Sequence, residues 1–228
     1  MMEILKQIAS IPMFNGLNTA QLEDLAMIVV DQEIKRNQPI FSEGDEAKGL
    51  YIVVAGRVKV YKLSFDGKEQ ILHILGAGEP FAEVAVFTGS SYPASSMTME
   101  KSRLFFIPRQ PFHDLLGQNP SLAMSMLATL SLRLRQFSHM IESLSLKEVP
   151  GRLATHLLLL SDQDGGKDAI RLPIAKTQLA SYLGTIPETL SRILAKMTTG
   201  GYIKSEGALI TICDRDGLED LAEGMVKL

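Results

Sequence analysis

The chain has 228 residues, 46% of them hydrophobic and 21% charged, with a formal net charge of −3. That length suits one large or two small domains with ordinary buried cores, and no run approaches the roughly 18 apolar residues of a membrane span. A single cysteine, Cys213, excludes an intrachain disulfide and any four-thiolate zinc or iron–sulfur site.

In chain order, the opening Met1-Met2-Glu3-Ile4-Leu5-Lys6 lacks the basic flank, apolar stretch and small-residue cleavage site of a secretion signal, so a soluble, cytoplasmic protein is expected. Leu17 to Val30 reads as a helix, with Asn18 or Thr19 placed to cap it. From Pro39 to Pro108 short apolar runs alternate with turn signals such as Glu43-Gly44-Asp45, Ala55-Gly56-Arg57 and Gly76-Ala77-Gly78-Glu79-Pro80. Arg57 to Leu63 alternates polar and apolar residues as a half-buried strand does, and Asp66-Gly67 is a hairpin turn before the strand Gln70 to Leu75. Short strands at regular spacing predict a sandwich or jelly-roll barrel.

A long helix follows, from about Ser121 to Leu146. Leu127, Leu130, Leu134, Phe137, Ile141 and Leu144 recur at alternating spacings of three and four, the seam of a coiled coil. Met124, Met126, Leu132 and Met140 add apolar positions outside it. One stripe is expected to pack on the barrel and the other to pair with a second copy. Val149-Pro150-Gly151 is expected to break this helix and form a hinge. Three parts result: a barrel with N-terminal helices over 1–118, a pairing helix over 119–148 and a C-terminal domain over 149–228.

Beyond the hinge, Arg152 to Leu160 reads as a short helix and Asp162 to Asp168 as a polar loop. Lys176 to Tyr182 and Pro187 to Thr199 read as two helices joined by a turn at Leu183-Gly184-Thr185. Pro187 suits a first helical position and Gly200-Gly201 a helix end. Tyr202 to Cys213 reads as two short strands around Glu206-Gly207, so the whole is a winged helix. Cys213, in the apolar run Leu209-Ile210-Thr211-Ile212-Cys213, is expected to be a small buried residue.

On the second helix of this pair, Glu188, Ser191 and Arg192 share one face, backed by Leu190, Ile193, Leu194 and Met197. A forked cation, a hydroxyl and a carboxylate near a helix N-terminus suit a major groove: arginine donates to guanine O6 and N7, and glutamate accepts from cytosine N4. The same face is also that of an ordinary solvated helix with an internal Glu188–Arg192 pair. From Arg171 to Lys204 five basic residues face one acid, Glu188, so the excess negative charge lies elsewhere. Thr189, Lys176 and Lys196 complete the expected DNA contacts, the lysines on phosphates.

The run from Gln178 through Gly184 and Pro187 to Leu194 resembles the helix-turn-helix of the CRP/FNR regulators. The Ala55-Gly56-Arg57-Val58-Lys59-Val60 strand, the Phe81-Ala82-Glu83 segment and the long helix extend the resemblance over nearly the whole chain. It implies an α+β protein: a cyclic-nucleotide-binding-like jelly-roll barrel, a dimerisation helix and a C-terminal winged helix-turn-helix. It also implies a homodimeric, non-enzymatic transcription regulator that binds double-stranded DNA at an inverted repeat and works with RNA polymerase. The set Glu188, Ser191 and Arg192 is more similar to the FNR and DNR branch, which implies half-sites like TTGAT, with TGTGA as runner-up.

Nucleotide-binding members of that family carry Gly-Glu-Leu and then Arg-Ser/Thr-Ala. Here Phe81-Ala82-Glu83-Val84 and Tyr92-Pro93-Ala94-Ser95 stand there, and no arginine lies between Arg57 and Arg103. A buried phosphate without a cation is disfavoured, so cyclic AMP is not expected. The pattern is similar to the DNR-like and HcpR-like regulators, whose association with haem and nitric oxide implies a histidine ligand. The candidates are His73 or His139, ahead of His113 and His156; none sits in a haem motif, and for each a satisfied structural histidine is the favoured alternative. An effector pocket of Phe81, Glu83, His73, Phe137 and His139 is expected, with an unknown small molecule as the alternative to haem. The competing reading, a cupin-like metal enzyme, needs two histidines and a carboxylate, and this barrel offers only His73 and Glu83.

Overall fold

The computed structural model describes residues 2–15 and 17–228. The chain forms two compact units. One gathers the chain up to Lys62 together with Leu72–Arg135, and the other gathers Leu63–Ile71 and Gln136–Leu228.

In chain order, helices α1 (Met2–Ala9) and α2 (Thr19–Ile28) precede the strands β1 (Val30–Ile34), β2 (Pro39–Phe41), β3 (Gly49–Ala55), β4 (Val58–Leu63), β5 (Glu69–Leu75) and β6 (Pro80–Phe81). A short helix, α3 (Val84–Phe87), leads to β7 (Ser95–Thr98), β8 (Ser102–Pro108), α4 (Arg109–Gln118) and the long α5 (Pro120–Leu146). Asn18 caps α2: its side chain accepts from the Gln21 N–H while the Gln21 side chain accepts from the Asn18 N–H. The helix is shorter than its apolar content predicts, because Val29 and Val30 take extended backbone and open β1.

The strands make two four-stranded sheets, ordered β1-β8-β3-β6 and β2-β7-β4-β5. Strand alternation divides β3 and β8 between two cores. Leu50, Ile52, Phe105 and Ile107 face the helices, among Phe14, Leu25, Phe112, Leu122 and Met126. Val53 and Leu104 face the inside of the barrel, with Phe41, Val58, Leu75, Phe81 and Tyr92. The predicted jelly roll is therefore present, with its helices on one sheet.

In the second unit α6 (Val149–Gln163) is followed by β9 (Ala169–Arg171), α7 (Lys176–Tyr182), α8 (Pro187–Thr199), β10 (Ile203–Glu206), β11 (Leu209–Ile212) and α9 (Arg215–Glu223). The expected break at Val149-Pro150-Gly151 is corrected. These residues form the first turn of α6, where a proline loses no hydrogen bond, and the chain turns instead at Lys147-Glu148. Gly151 is buried because α9 crosses closely there: a β-carbon would come within 2.9 Å of the Leu221 carbonyl. The wing has three strands in the order β10-β11-β9. Alternation along β11 points Ile210 and Ile212 inward, so Cys213, expected to be buried, is exposed.

Candidate nucleic-acid interface and sensor site

The turn between α7 and α8 is closed by bonds from the Leu183 N–H to the Leu179 carbonyl (2.9 Å) and from the Thr185 N–H to the Ala180 carbonyl (2.9 Å). Gly184 makes it possible. Its φ is +68°, and a β-carbon would meet Leu144 at 2.8 Å. Arg152 of α6 holds the same turn, its Nε donating to the Leu183 carbonyl at 2.9 Å. Burial lowers the pKa of this guanidinium.

Ile186 is extended and Pro187 opens α8. Leu190, Ile193, Leu194 and Met197 are buried, which leaves Glu188, Ser191, Arg192 and Lys196 exposed on the opposite side and Thr189 half-buried. Among the described residues no ion pair joins Glu188 to Arg192. The guanidinium Nη2 instead donates to Thr189 Oγ1 at 3.0 Å. The carboxylate and the cation are thus both available to bases, unlike in the internally paired helix face that was the alternative. Lys176 is half-buried and its Nζ lies 3.4 Å from Ser205 Oγ in the wing. A groove of about 400 Å³ runs there, lined by Lys176, Ser191, Leu194, Ala195, Thr198, Thr199 and Ser205.

Along α5 the predicted seam separates into two rows. Leu127, Leu134 and Ile141 are 53%, 68% and 65% exposed. Leu130, Phe137 and Leu144 are half-buried. Leu122 and Met126 belong to the core of the first unit.

The barrel's expected effector residues have found partners. Glu83 is buried and pairs with Arg133 of α5, whose Nη1 lies 2.5 Å from its Oε1. The other guanidinium nitrogen donates to the Pro80 carbonyl at 2.7 Å. Sequence reasoning missed Arg133. The signal was present: it is a lone charge in the row Met126, Leu130, Arg133, Phe137, spaced four, three and four along the less exposed side of the helix. Between Pro80 and Glu83, Ala82 has a φ of +63°, which costs a residue with a β-carbon roughly 1–2 kcal/mol.

Tyr92, in the segment where an arginine was sought, is buried. Its hydroxyl donates to the Gly49 carbonyl at 2.9 Å and its ring stacks on Phe41 at 3.9 Å. Tyr51 stacks on Phe81 at 5.3 Å, so four aromatic rings fill this part of the barrel. Burial, with the neighbouring Tyr92 phenol adding to it, pushes the Tyr51 hydroxyl up to about 12.

His73 is mostly buried, and its Nε2 lies 3.6 Å from Glu79. Burial alone would raise the Glu79 carboxyl. The His73 imidazole, the Gly76 N–H (2.7 Å) and the charges of His73 and Arg133 outweigh it and hold the group below its usual range. The ring nitrogen Nε2 is thus engaged with a carboxylate inside the barrel. The other expected ligand, His139, is exposed with its Nδ1 3.6 Å from Glu142 and has no such setting. His139 and Phe137 belong to the second unit.

Residues 31–119 match the cyclic nucleotide-binding domain and residues 151–221 the Crp-like helix-turn-helix domain. The chain is similar to the fumarate and nitrate reduction regulatory protein of Escherichia coli K12, 31% identical over 211 residues, 90% of this chain and 84% of that one. It is also similar to the cyclic AMP receptor protein of Thermus thermophilus, 30% identical over 215 residues, 94% and 98% of the two chains. Among solved structures, DNR from Pseudomonas aeruginosa is 32% identical and covers 95% of this chain and 96% of its own, with a TM-score of 0.50.

Proposed function

Because the chain belongs to the CRP/FNR family of DNA-binding transcription regulators, we propose that it binds an inverted-repeat operator as a homodimer and reads each half-site with Glu188, Ser191 and Arg192. The observation that carries this reading is α8 itself. Its apolar side is buried, and its opposite side presents a carboxylate with no ion-pair partner among the described residues, a hydroxyl and a guanidinium within one turn. Arg192 donates to a guanine and Glu188 accepts from the cytosine on the other strand, with Ser191 setting the neighbouring base. Lys196 and Lys176 neutralise phosphates. Half-sites like TTGAT follow from the FNR- and DNR-type recognition set, and RNA polymerase is the partner through which a regulator of this kind acts.

Selection from random duplexes tests the reading. Wild type should recover a palindrome, and Arg192→Ala should lose about 1–3 kcal/mol per half-site and its preference at the guanine. The same guanine recovered by both proteins removes Arg192 from the reading role.

The effector is not a cyclic nucleotide in this reading, although relatives such as the cyclic AMP receptor protein bear that name. The carboxylate that would take a ribose hydroxyl is held by Arg133, and Tyr92 stands where the phosphate needs a cation. Haem is the second reading, with His73, mostly buried in the barrel, as its candidate ligand. When bound, haem supplies an iron that takes a diatomic gas such as nitric oxide, and His73 would hold it. Titration with haemin should give a stoichiometric Soret band that His73→Ala alters. Absence of uptake by wild type ends this reading and leaves a non-haem small molecule.

A further inference from the structure

One guanidinium secures both ends of a strained segment in the barrel. Arg133 bonds the Pro80 carbonyl on one side of Ala82 and the Glu83 carboxylate on the other. Ala82 between them keeps a left-handed backbone that a β-carbon disfavours. Such a conformation persists only where the surroundings over-determine it, and here a side chain of α5 adds to the hold that the pairing of β6 with β3 already gives. The pair is secluded, with side-chain exposures of 14% and 9%. Nearby, Tyr92 and Phe41 fill the barrel with their own rings.

We infer that Arg133 acts as an internal ligand, tying Pro80 and Glu83 to α5 so that the regulator binds its operator without a nucleotide. The inference rests on the DNA-binding reading above. A guanidinium is a suitable ligand for this place. It is charged at every working pH, and its two donating nitrogens match a carboxylate and a carbonyl at once. Because α5 runs unbroken from Pro120 to Leu146, fixing Arg133 fixes the rotation of the helix that carries Leu134 and Ile141. Arg133 is thus a positioning residue: it touches no base, and it sets the face that two copies offer each other.

The test uses the full chain and fluorescence anisotropy on the selected operator, with sedimentation and melting run in parallel. Nucleotide-free wild type should bind, and added cyclic AMP or cyclic GMP should leave its affinity unchanged. Arg133→Leu should bind about tenfold more weakly while remaining a folded dimer. Arg133→Lys keeps the charge but not the fork, and should lie between the two. The reversed pair, Arg133→Glu with Glu83→Arg, should regain part of the affinity lost by either single change, and it carries the test should Arg133→Leu not fold. A folded Arg133→Leu dimer with wild-type or tighter affinity overturns the inference, as does a wild type that binds only with nucleotide, or a folded reversed pair no better than the singles. Wild type that binds no duplex at all sinks the DNA-binding reading, and this inference with it.

Discussion

His156, a structural histidine rather than a ligand on the sequence reading, shows how a side chain takes its character from packing. It lies on α6 with its ring 5.3 Å from that of Tyr182, and its Nε2 is buried without a hydrogen-bond partner among the described residues. Burial lowers its pKa to about 4, whereas in the unfolded chain the group returns to about 6.5. Above pH 6.5 both states are neutral, and His156 adds nothing to the pH dependence of stability. Between about 6.5 and 4 the unfolded chain binds a proton that the folded chain refuses, so stability falls as pH falls. Below about 4 that loss is complete, at on the order of 3 kcal/mol. NMR should show this imidazole titrating near pH 4, and His156→Leu should lose less stability than wild type between pH 7 and 4.5. An imidazole titrating near 6.5, or equal losses in both proteins, would contradict this account. Polar residues whose role is set by distant partners are the ones the sequence hid. Arg133 was legible as a charge on an apolar helix side, but nothing local to it names Glu83 and Pro80, fifty and fifty-three positions away.

At the scale of elements, what a short window encodes was legible. The α7 and α8 helices run over Lys176–Tyr182 and Pro187–Thr199 as their caps and spacing predict, because Gly184, Pro187 and Gly200 punctuate them with backbone chemistry rather than tertiary contact. The long helix was equally plain from its period. A very short element defined only by pairing was not. Ala169–Arg171 has only three residues and becomes a strand because β11 lies beside it, Ile170 opposite Ile210. The break before α6 was misplaced for a related reason: Pro150 signals a boundary, but whether it ends one helix or begins the next depends on Gly151 meeting α9. Helix α9, with Asp214 capping it through the Gly217 N–H at 2.9 Å, carried a readable signal that the reading passed over.

At the scale of the whole molecule, the question is what covers α5. Leu127, Leu134 and Ile141 repeat every seven residues and leave most of their apolar surface in water. A soluble chain rarely leaves such a row uncovered, and a heptad row is covered best by the same row from a second copy across a two-fold axis. That symmetry also answers the demand of DNA, since two recognition helices must enter the major groove about one turn, roughly 34 Å, apart. On the proposed reading a single α8 carries three base-reading side chains, so duplicating it extends the reading to a second half-site. Leu134→Glu or Ile141→Glu would bury an unpaired carboxylate in that interface, at a cost of roughly 3–5 kcal/mol. Sedimentation of either variant at micromolar concentration should show monomer where wild type shows dimer. The monomer should still fold, because these side chains lie outside the buried cores. Operator affinity should collapse while the weak, salt-sensitive binding to any duplex persists, since each copy keeps Lys176, Arg192 and Lys196. A charged variant that stays dimeric would show that the row is covered from within the chain, and the two-fold arrangement on DNA would then have to be built from another surface.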